Sequence, residues 1–188
     1  IQKGVYSVDL VVCTRLERLL QLVRAYFQFA VAEHPRPCRI HAQLQPRLLG
    51  QQHVLGLTAN KLETVRVAFV GLGMRGPGAV MRFCHIPGVE IVALCDYEAE
   101  RAEKCQDYLR KAGLKPADIY SGAKGYEEIC KRADVDLVYV ATDWNHHYPV
   151  AKFAMENGKH TAIEVPSAMN LEQCWSLIDL SEKTRLHC

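Results

Sequence analysis

No segment of this sequence is apolar for long enough to cross a membrane. The most apolar early stretch, residues 16–31, is interrupted by charged and polar side chains at helical intervals, which makes it amphipathic. It does not have the form of a signal-peptide core either. The sequence therefore predicts no membrane span.

Paired cysteine motifs are also lacking. Eight cysteines are present, but no two form a Cys-x-x-Cys pair, and no Cys and His grouping has zinc-ligand spacing. The sequence therefore predicts no metal site. Four cysteines lie in predicted strands or helices and are interpreted as small core residues in a reducing compartment: Cys84, Cys95, Cys130 and Cys174.

A strong charge imbalance is absent, since the formal net charge is +2. Residues 1–60 carry seven Lys or Arg against three acids, but these basic residues are scattered rather than clustered with aromatics, so no nucleic-acid partner is predicted. With 49% hydrophobic and 23% charged residues, the composition is that of a globular protein with one core.

The first 60 residues do not share the pattern of the rest. They predict one amphipathic helix at 16–32 and then a Pro-, Arg- and Gln-rich stretch, 34–52, with little order. The sequence starts without Met and stops just after a predicted helix, so we expect a fragment. A wrongly joined or wrongly translated leader is one explanation of the first fifty residues, and a real helical element is the other.

A glycine-rich fingerprint follows. The β-type run Val65–Val70 leads directly into Gly71, Gly73 and Gly76. In a dinucleotide-binding turn these glycines make the tight turn, admit a pyrophosphate close to the backbone, and let the next helix pack on the strand. A second apolar run, 89–95, ends on Asp96, whose carboxylate would accept the hydroxyls of an adenosine ribose and repel the 2′-phosphate of NADP. The cofactor predicted is therefore NAD. The alternative is that Asp96 only caps the helix that starts near Tyr97.

From residue 65 onward, predicted strands alternate with predicted helices, which indicates an α/β fold: a doubly wound parallel sheet of the Rossmann type. The predicted strands are 65–70, 89–95, 118–121, 136–141 and 160–165, and the predicted helices are 77–86, 97–112, 124–132, 147–157 and 171–184.

Ligands of such a sheet sit outside the carboxyl ends of its strands. After the predicted strand 136–141 comes a polar and aromatic loop, 142–148, and after 160–165 comes a carboxylate, Glu164, beside a proline, Pro166, that could be cis. For His146 and His147 the alternatives are a role in the site, or one histidine lining the next helix and the other facing solvent. Trp144 is placed near a nicotinamide or ribose, with plain packing as the alternative. Glu164 could equally hold a loop through backbone N–H groups.

These motifs together resemble the nucleotide-binding half of the Gfo/Idh/MocA oxidoreductase superfamily. Within it, five segments resemble the bacterial NAD-dependent α-N-acetylgalactosaminidases, which are glycoside hydrolases: Gly-Leu-Gly-Met-Arg-Gly, Ala-Leu-Cys-Asp, Asp-Trp-x-His-His, Gly-Lys-His-x-Ala-Ile-Glu-Val-Pro and Ser-Glu-Lys-Thr-Arg-x-His-Cys. The resemblance covers residues 62–188, interpreted as an NAD-binding domain truncated at its C-terminal end, and leaves 1–60 unmatched.

The resemblance implies a set of cofactor contacts in addition to the three glycines: Met74, Arg75, Asp96, Trp144, Asn145, His146, His147, Glu164 and Val165. It also implies hydrolysis of α-N-acetylgalactosaminides by transient oxidation at C3, elimination, water addition and re-reduction, with the cofactor returned to its starting state. The family's catalytic His and Tyr belong to a later substrate domain that this sequence lacks, so we expect the chain alone to bind NAD and hydrolyse nothing.

Val165 departs from the wider superfamily, which commonly has Lys at this position. Because Val cannot transfer a proton, a simple sugar dehydrogenase is disfavoured, although an NAD-dependent sugar oxidoreductase remains the alternative function. A non-catalytic NAD-binding or regulatory module is a third. The sequence leaves open whether the protein is a homo-oligomer, and whether it stays in the cytoplasm or is exported after folding.

Overall fold

A computed structural model of the chain describes residues 62–188. The predictions made for 16–32 and 34–52 lie outside those residues. Within them five strands alternate with five helices. The strands are β1 (Val65–Val70), β2 (Val89–Asp96), β3 (Asp118–Ser121), β4 (Leu137–Val140) and β5 (His160–Ile163), and the helices are α1 (Gly76–Phe83), α2 (Ala99–Lys111), α3 (Gly125–Lys131), α4 (Trp144–Glu156) and α5 (Leu171–Thr184).

The five strands form one sheet in the order β3-β2-β1-β4-β5, and every neighbouring pair is parallel. β1 lies at the centre, between β2 and β4. This is the arrangement of a dinucleotide-binding sheet, in which the chain reverses direction across the sheet next to its first strand. The predicted doubly wound parallel fold is confirmed.

The two faces of β1 support two separate apolar layers. Val67 and Phe69 pack in a cluster with α1 and α2, whereas Ala68 and Val70 pack in a cluster with α3 and α4. Alternate side chains of a strand point to opposite faces, so a strand buried on both sides is apolar at every position. Helices therefore cover both faces, and the loops that could bind a ligand lie at the ends of the strands.

Two predicted helix bounds were wrong by three residues, and others differ by one or two. α1 ends at Phe83 rather than 86, because the next residues close tighter i→i+3 bonds, such as Ile86 N–H to Phe83 O (3.1 Å), before the Pro87-Gly88 turn. α4 begins at Trp144 rather than 147, because Asp143 is its N-cap and accepts the Asn145 N–H at 2.9 Å. Residues 144–147 therefore occupy the first turn of a helix rather than a loop.

The cysteines of the described region are free thiols. Cys95 and Cys130 are buried, as predicted, and burial raises the pKa of each thiol to about 12. Cys84 and Cys174 are only partly buried. Residues 62–188 contain no group of three or more His, Cys, Asp or Glu that could hold a metal ion. Over the same range, no helix combines the length and the apolar character that crossing a bilayer requires.

The amino end of the sheet is held by one charged pair. Asp136, just before β4, accepts the backbone N–H of Arg66 at 2.8 Å and the guanidinium Nε and Nη2 at 2.9 and 2.7 Å. The hydrogen bond from Arg66 is the largest influence on the pKa of Asp136 and lowers it, against the opposing effect of burial. Because this carboxylate joins β1 to the start of β4, it should contribute to stability.

Replacing Asp136 with Ala should lower the free energy of unfolding at pH 7 by about 1–3 kcal/mol, because the partly buried donors of Arg66 lose their acceptor. The native-state pKa of Asp136 lies below its unfolded value of about 3.9, so this contribution is complete well above that value and is lost as pH falls through the native pKa. Urea unfolding at pH 7 and pH 3 measures both effects.

The matched control is Asp107→Ala, which removes an exposed i,i+3 pair with Arg110 and should change stability by less than about 0.5 kcal/mol. Equal losses for the two variants, or a loss for Asp136→Ala that grows toward low pH, would contradict the assignment.

Candidate functional site

The glycine-rich turn after β1 is built from close backbone contacts. Gly71 has φ +93°, and a Cβ there would overlap the backbone of Ala141 and Thr142 at the end of β4. A Cβ on Gly76, the first residue of α1, would overlap the carbonyl oxygen of Gly71. These positions therefore require glycine for the packing of the turn itself.

Gly73 differs from the other two glycines. Within the described part of the chain, the only neighbour that a Cβ on Gly73 would meet is the end of the Arg101 side chain, at 3.7 Å. The space over its backbone is thus open, as close approach of a pyrophosphate requires. Met74 and Arg75, which follow it, are exposed, and the side chain of Met74 is 92% accessible.

The start of α1 faces this turn. Its N-cap, Arg75, makes no side-chain capping bond, and the first turn contains no acidic residue. The first N–H groups of a helix lack partners within the helix and carry the positive end of its dipole. This N-terminus therefore has the polarity that anionic groups prefer.

Asp96, at the end of β2, is 6% accessible and contacts the glycine-rich turn directly. Its Oδ2 accepts the Leu72 N–H at 2.6 Å, and its Oδ1 accepts the Glu98 N–H at 3.1 Å. The second bond closes a local turn before α2, whose N-cap is Glu98 and has no side-chain capping bond, so the alternative that Asp96 caps this helix is wrong. The first bond gives Asp96 a further role that the sequence did not predict: it links the turn after β1 to the end of β2.

An open cavity of about 530 Å³ lies between the glycine-rich turn and α2. Gly73 and Met74 line one side of it, and Arg101 and Lys104 line the other. The Arg101 guanidinium lies 3.5 Å from Asp96 and 3.2 Å from Glu98. The charge of Asp96 therefore has a positive neighbour at the edge of this cavity.

The segment after β4 carries both exposed and buried side chains. Trp144 is 60% accessible, and Asn145 and His146 are exposed. His146 Nδ1 lies 2.5 Å from Asp143 Oδ2. Burial acts to raise the pKa of Asp143, but hydrogen bonds from His146 and the Asn145 N–H outweigh it and hold the pKa below its usual value. The N-cap is therefore a carboxylate at neutral pH.

His147, by contrast, is 1% accessible, and both its ring nitrogens face backbone carbonyl oxygens. Nδ1 lies 2.7 Å from the oxygen of Pro166, and Nε2 lies 3.0 Å from that of Thr142. The ring thus links the segments that follow β4 and β5, so any approach of a ligand to His147 is limited to its backbone.

The segment after β5 continues the sheet by one bond, from Glu164 N–H to Val140 O at 2.9 Å. The Glu164 side chain is held by the hydroxyl of Tyr139, which donates to Oε1 at 2.6 Å. Val165 is 52% accessible, and the Val165-Pro166 peptide bond is cis, as the sequence suggested.

The twelve predicted site residues therefore lie at one edge of the sheet: Asp96 is the last residue of β2, and the other eleven lie in the segments that follow β1, β4 and β5. Direct contacts link these segments: Leu72 with Asp96, Gly71 with Thr142, and His147 with Pro166. Sequence reasoning missed Tyr139 and Arg101. A polar residue at an alternating position near the end of an aliphatic strand was the available signal for Tyr139, and a basic residue one turn beyond Asp96 was the signal for Arg101.

Comparison with protein families gives a match to the family described as Gfo/Idh/MocA, "Oxidoreductase family, NAD-binding Rossmann fold", over residues 65–188. Among curated proteins, the chain is 80% identical over 138 residues to glycosyl hydrolase family 109 protein 3 of Phocaeicola vulgatus, which covers 73% of this chain and 25% of that protein. It is 51% identical over 185 residues to a glycosyl hydrolase family 109 protein of Porphyromonas gingivalis, which covers 98% of this chain and 39% of that protein.

The second of these alignments includes most of residues 1–60, which the sequence analysis left unmatched. The chain thus spans about a quarter to two fifths of the length of these two relatives.

Solved structures give the same fold. An NAD-binding protein from Listeria innocua superimposes with a TM-score of 0.56 at 27% identity, covering 66% of this chain and 34% of that one. Myo-inositol dehydrogenase from Lactobacillus casei, solved with NAD(H) and myo-inositol, superimposes with a TM-score of 0.56 at 26% identity, covering 64% and 34%.

Proposed function

The chain belongs to the Gfo/Idh/MocA oxidoreductase family with an NAD-binding Rossmann fold, and from that premise we propose that it is the NAD-binding part of a glycosidase that hydrolyses α-N-acetylgalactosaminides. The observation that carries the proposal is the contact between the glycine-rich turn and the buried carboxylate of Asp96. The names of the family 109 glycosyl hydrolase relatives support the glycosidase part of it.

The residues at this edge fit a dinucleotide. The open backbone of Gly73 and the uncapped start of α1 suit the pyrophosphate, and the Asp96 carboxylate suits the adenosine ribose. The segments after β4 and β5 then receive the nicotinamide half, because the two nucleotides of a dinucleotide lie on opposite sides of the central strand.

When bound, NAD would supply a reversible hydride acceptor for the sugar. The chain itself would orient the cofactor. N–H groups of the glycine-rich turn would bind the phosphate oxygens, and Asp96 would accept the ribose hydroxyls. Trp144, with its exposed ring, would shield the nicotinamide end from water. Met74, Arg75, Asn145, His146, His147 and Glu164 complete the proposed contacts.

We favour NAD over NADP because a carboxylate at Asp96, if it accepts the adenosine ribose hydroxyls, would repel a 2′-phosphate at the same ribose. Arg101, 3.5 Å away, reduces this repulsion without removing it, because it is shared with Glu98. The preference for NAD over NADP should therefore depend on Asp96, and a substitution of this residue can test it.

Val165 favours a glycosidase over a net dehydrogenase. It is half exposed at the end of β5, and its aliphatic side chain can neither give nor take a proton. An NAD-dependent sugar oxidoreductase is the second candidate, favoured by the similarity to a myo-inositol dehydrogenase. Either reaction would need the proton transfers to come from residues other than Val165.

Two measurements test the proposal. Calorimetric titration of the 188-residue chain should give saturable NAD binding. The product of the complete gene should release nitrophenol from p-nitrophenyl α-N-acetylgalactosaminide without added NAD and without accumulation of NADH, because the cofactor is regenerated in each cycle.

The outcomes separate the candidates. NADH formed from a free sugar, with no nitrophenol released, would replace the glycosidase with the oxidoreductase. A folded chain that binds no nucleotide would reject both and leave a module without a cofactor.

A further inference from the structure

The hydroxyl of Tyr139, a partly buried residue of the sheet, has a specific partner at the site edge. Tyr139 lies on β4, one residue before the last of that strand, and its hydroxyl donates to Glu164 Oε1 at 2.6 Å. A hydrogen bond of this length from a hydroxyl to a carboxylate is among the strong ones.

The ring of Tyr139 is fixed by two aromatic neighbours. Its centroid lies 5.2 Å from that of Phe69 on β1 and 5.5 Å from that of Phe83 on α1. These rings belong to the apolar layer under α1, the helix that the glycine-rich turn begins. The hydroxyl therefore has little freedom to move. Through this hydroxyl, the packed core holds the carboxylate of Glu164 in place.

The bond uses only part of the carboxylate. Two oxygens offer about four acceptor positions, and Tyr139 occupies one of them on Oε1. Among residues 62–188, no donor is bonded to Oε2, so this oxygen can accept from another donor. Because Glu164 directly follows β5, on the side of the sheet that would receive the nicotinamide nucleotide, the hydroxyls of its ribose are donors of the right chemistry.

We infer that Tyr139 is a positioning residue: it fixes Oε1 of Glu164 so that Oε2 accepts a hydrogen bond from the ribose on the nicotinamide side of the dinucleotide. This inference rests on the proposed function, since it requires that a dinucleotide bind at this edge. It adds a residue that does not itself touch the cofactor and that the sequence did not single out.

The ionisation of the phenol supports this role. Burial raises the pKa of Tyr139 well above its usual value, and Glu164 raises it further, while Arg82 acts in the opposite direction. The hydroxyl therefore keeps its proton throughout the neutral range and remains a donor to the carboxylate.

The test compares three nucleotides on the 188-residue chain: ADP, which lacks the second ribose, ADP-ribose, which has it, and NAD. Tyr139→Phe keeps the ring between Phe69 and Phe83 and removes only the hydroxyl. We expect the Kd of ADP-ribose and of NAD to rise about five- to tenfold, as for loss of one charge-assisted bond, and the Kd of ADP to stay within twofold.

The control variant is Tyr120→Phe. Tyr120 also has a hydroxyl with a polar partner, Arg132 at 3.1 Å, but it packs on the opposite face of the sheet. This variant should leave all three affinities unchanged. A second measurement combines Tyr139→Phe with Glu164→Gln: in the Glu164→Gln background, loss of the hydroxyl should have little further effect on ADP-ribose.

Equal weakening of all three nucleotides by Tyr139→Phe, no weakening of any, or strictly additive effects in the double variant would overturn the inference. A merely structural bond would change thermal stability and leave the ratio of ADP to ADP-ribose affinity untouched. If the wild-type chain binds ADP and NAD, the nucleotide-binding part of the proposed function stands whatever Tyr139 does, and if it binds neither, the proposed function fails before the inference is tested.

Discussion

Substitution of Gly76 by Ala should abolish measurable NAD binding and lower the free energy of unfolding by at least about 3 kcal/mol. A Cβ at this position would overlap the carbonyl oxygen of Gly71 and approach that residue's carbonyl carbon within 3.0 Å. Both are backbone atoms, so the clash is relieved only by moving the turn or the start of α1. Urea unfolding and calorimetric titration with NAD measure the two losses.

Gly78→Ala is the matched control, two residues further along α1. Of the described residues 62–188, a Cβ there meets only the end of the Arg82 side chain, at 3.4 Å, which can move aside. Because Ala has the higher helix propensity, this variant should be as stable as the wild type or more stable by up to about 1 kcal/mol, with NAD binding retained. If Gly76→Ala bound NAD normally, the turn would not be the phosphate site.

Substitution of Asp96 by Ala should weaken NAD binding about 100-fold, because two hydrogen bonds from ribose hydroxyls to a carboxylate are lost together. The structure adds a second effect. Leu72 is 2% accessible, and its N–H would lose the acceptor that Asp96 Oδ2 provides at 2.6 Å. Asp96→Ala should therefore also cost about 1–3 kcal/mol of stability.

Asp96→Asn separates these two effects. The amide oxygen can still accept the Leu72 N–H, so part of the stability should return, whereas the bond from the Glu98 N–H and the negative charge are lost. We expect NAD affinity to fall about tenfold and the ratio of NADP to NAD affinity to rise, because the repulsion of a 2′-phosphate is removed. Calorimetric titration of the wild type and both variants with NAD and NADP measures this.

Glu98→Gln serves as the control for Asp96, since Glu98 is an exposed carboxylate that contacts the same Arg101. It should change the affinity for neither nucleotide by more than about twofold. An Asp96→Asn variant with wild-type affinities for both nucleotides would show that the carboxylate only supports the turn.

Much of the fold could be predicted from local pattern. The β-branched run Val65–Val70 specifies a strand buried on both faces, and the glycines after it specify the tight turn that starts the first helix. Alternation of strands and helices then requires a parallel sheet. These signals are carried by neighbours in sequence, and for that reason a single sequence contains them.

The contacts within the site are different in kind. The bonds from Leu72 to Asp96 and from Tyr139 to Glu164 join residues 24 and 25 positions apart, and each depends on which strands become neighbours and in what register. No local periodicity encodes that. The sequence predicts the start of α4 three residues late for a related reason: the polar run 142–148 has the composition of a loop, whereas Asp143 caps a helix whose first turn lies within it.

The bond between Leu72 and Asp96 also has a consequence for the thermodynamics of binding. Because the chain's own donors and acceptors close the turn, the turn loses its conformational entropy during folding rather than on ligand binding. The intrinsic affinity of the site is then reduced little by ordering costs, and a slow dissociation rate becomes attainable from few contacts. An enzyme that regenerates its cofactor in every cycle gains from that, since it need not compete for free nucleotide between turnovers.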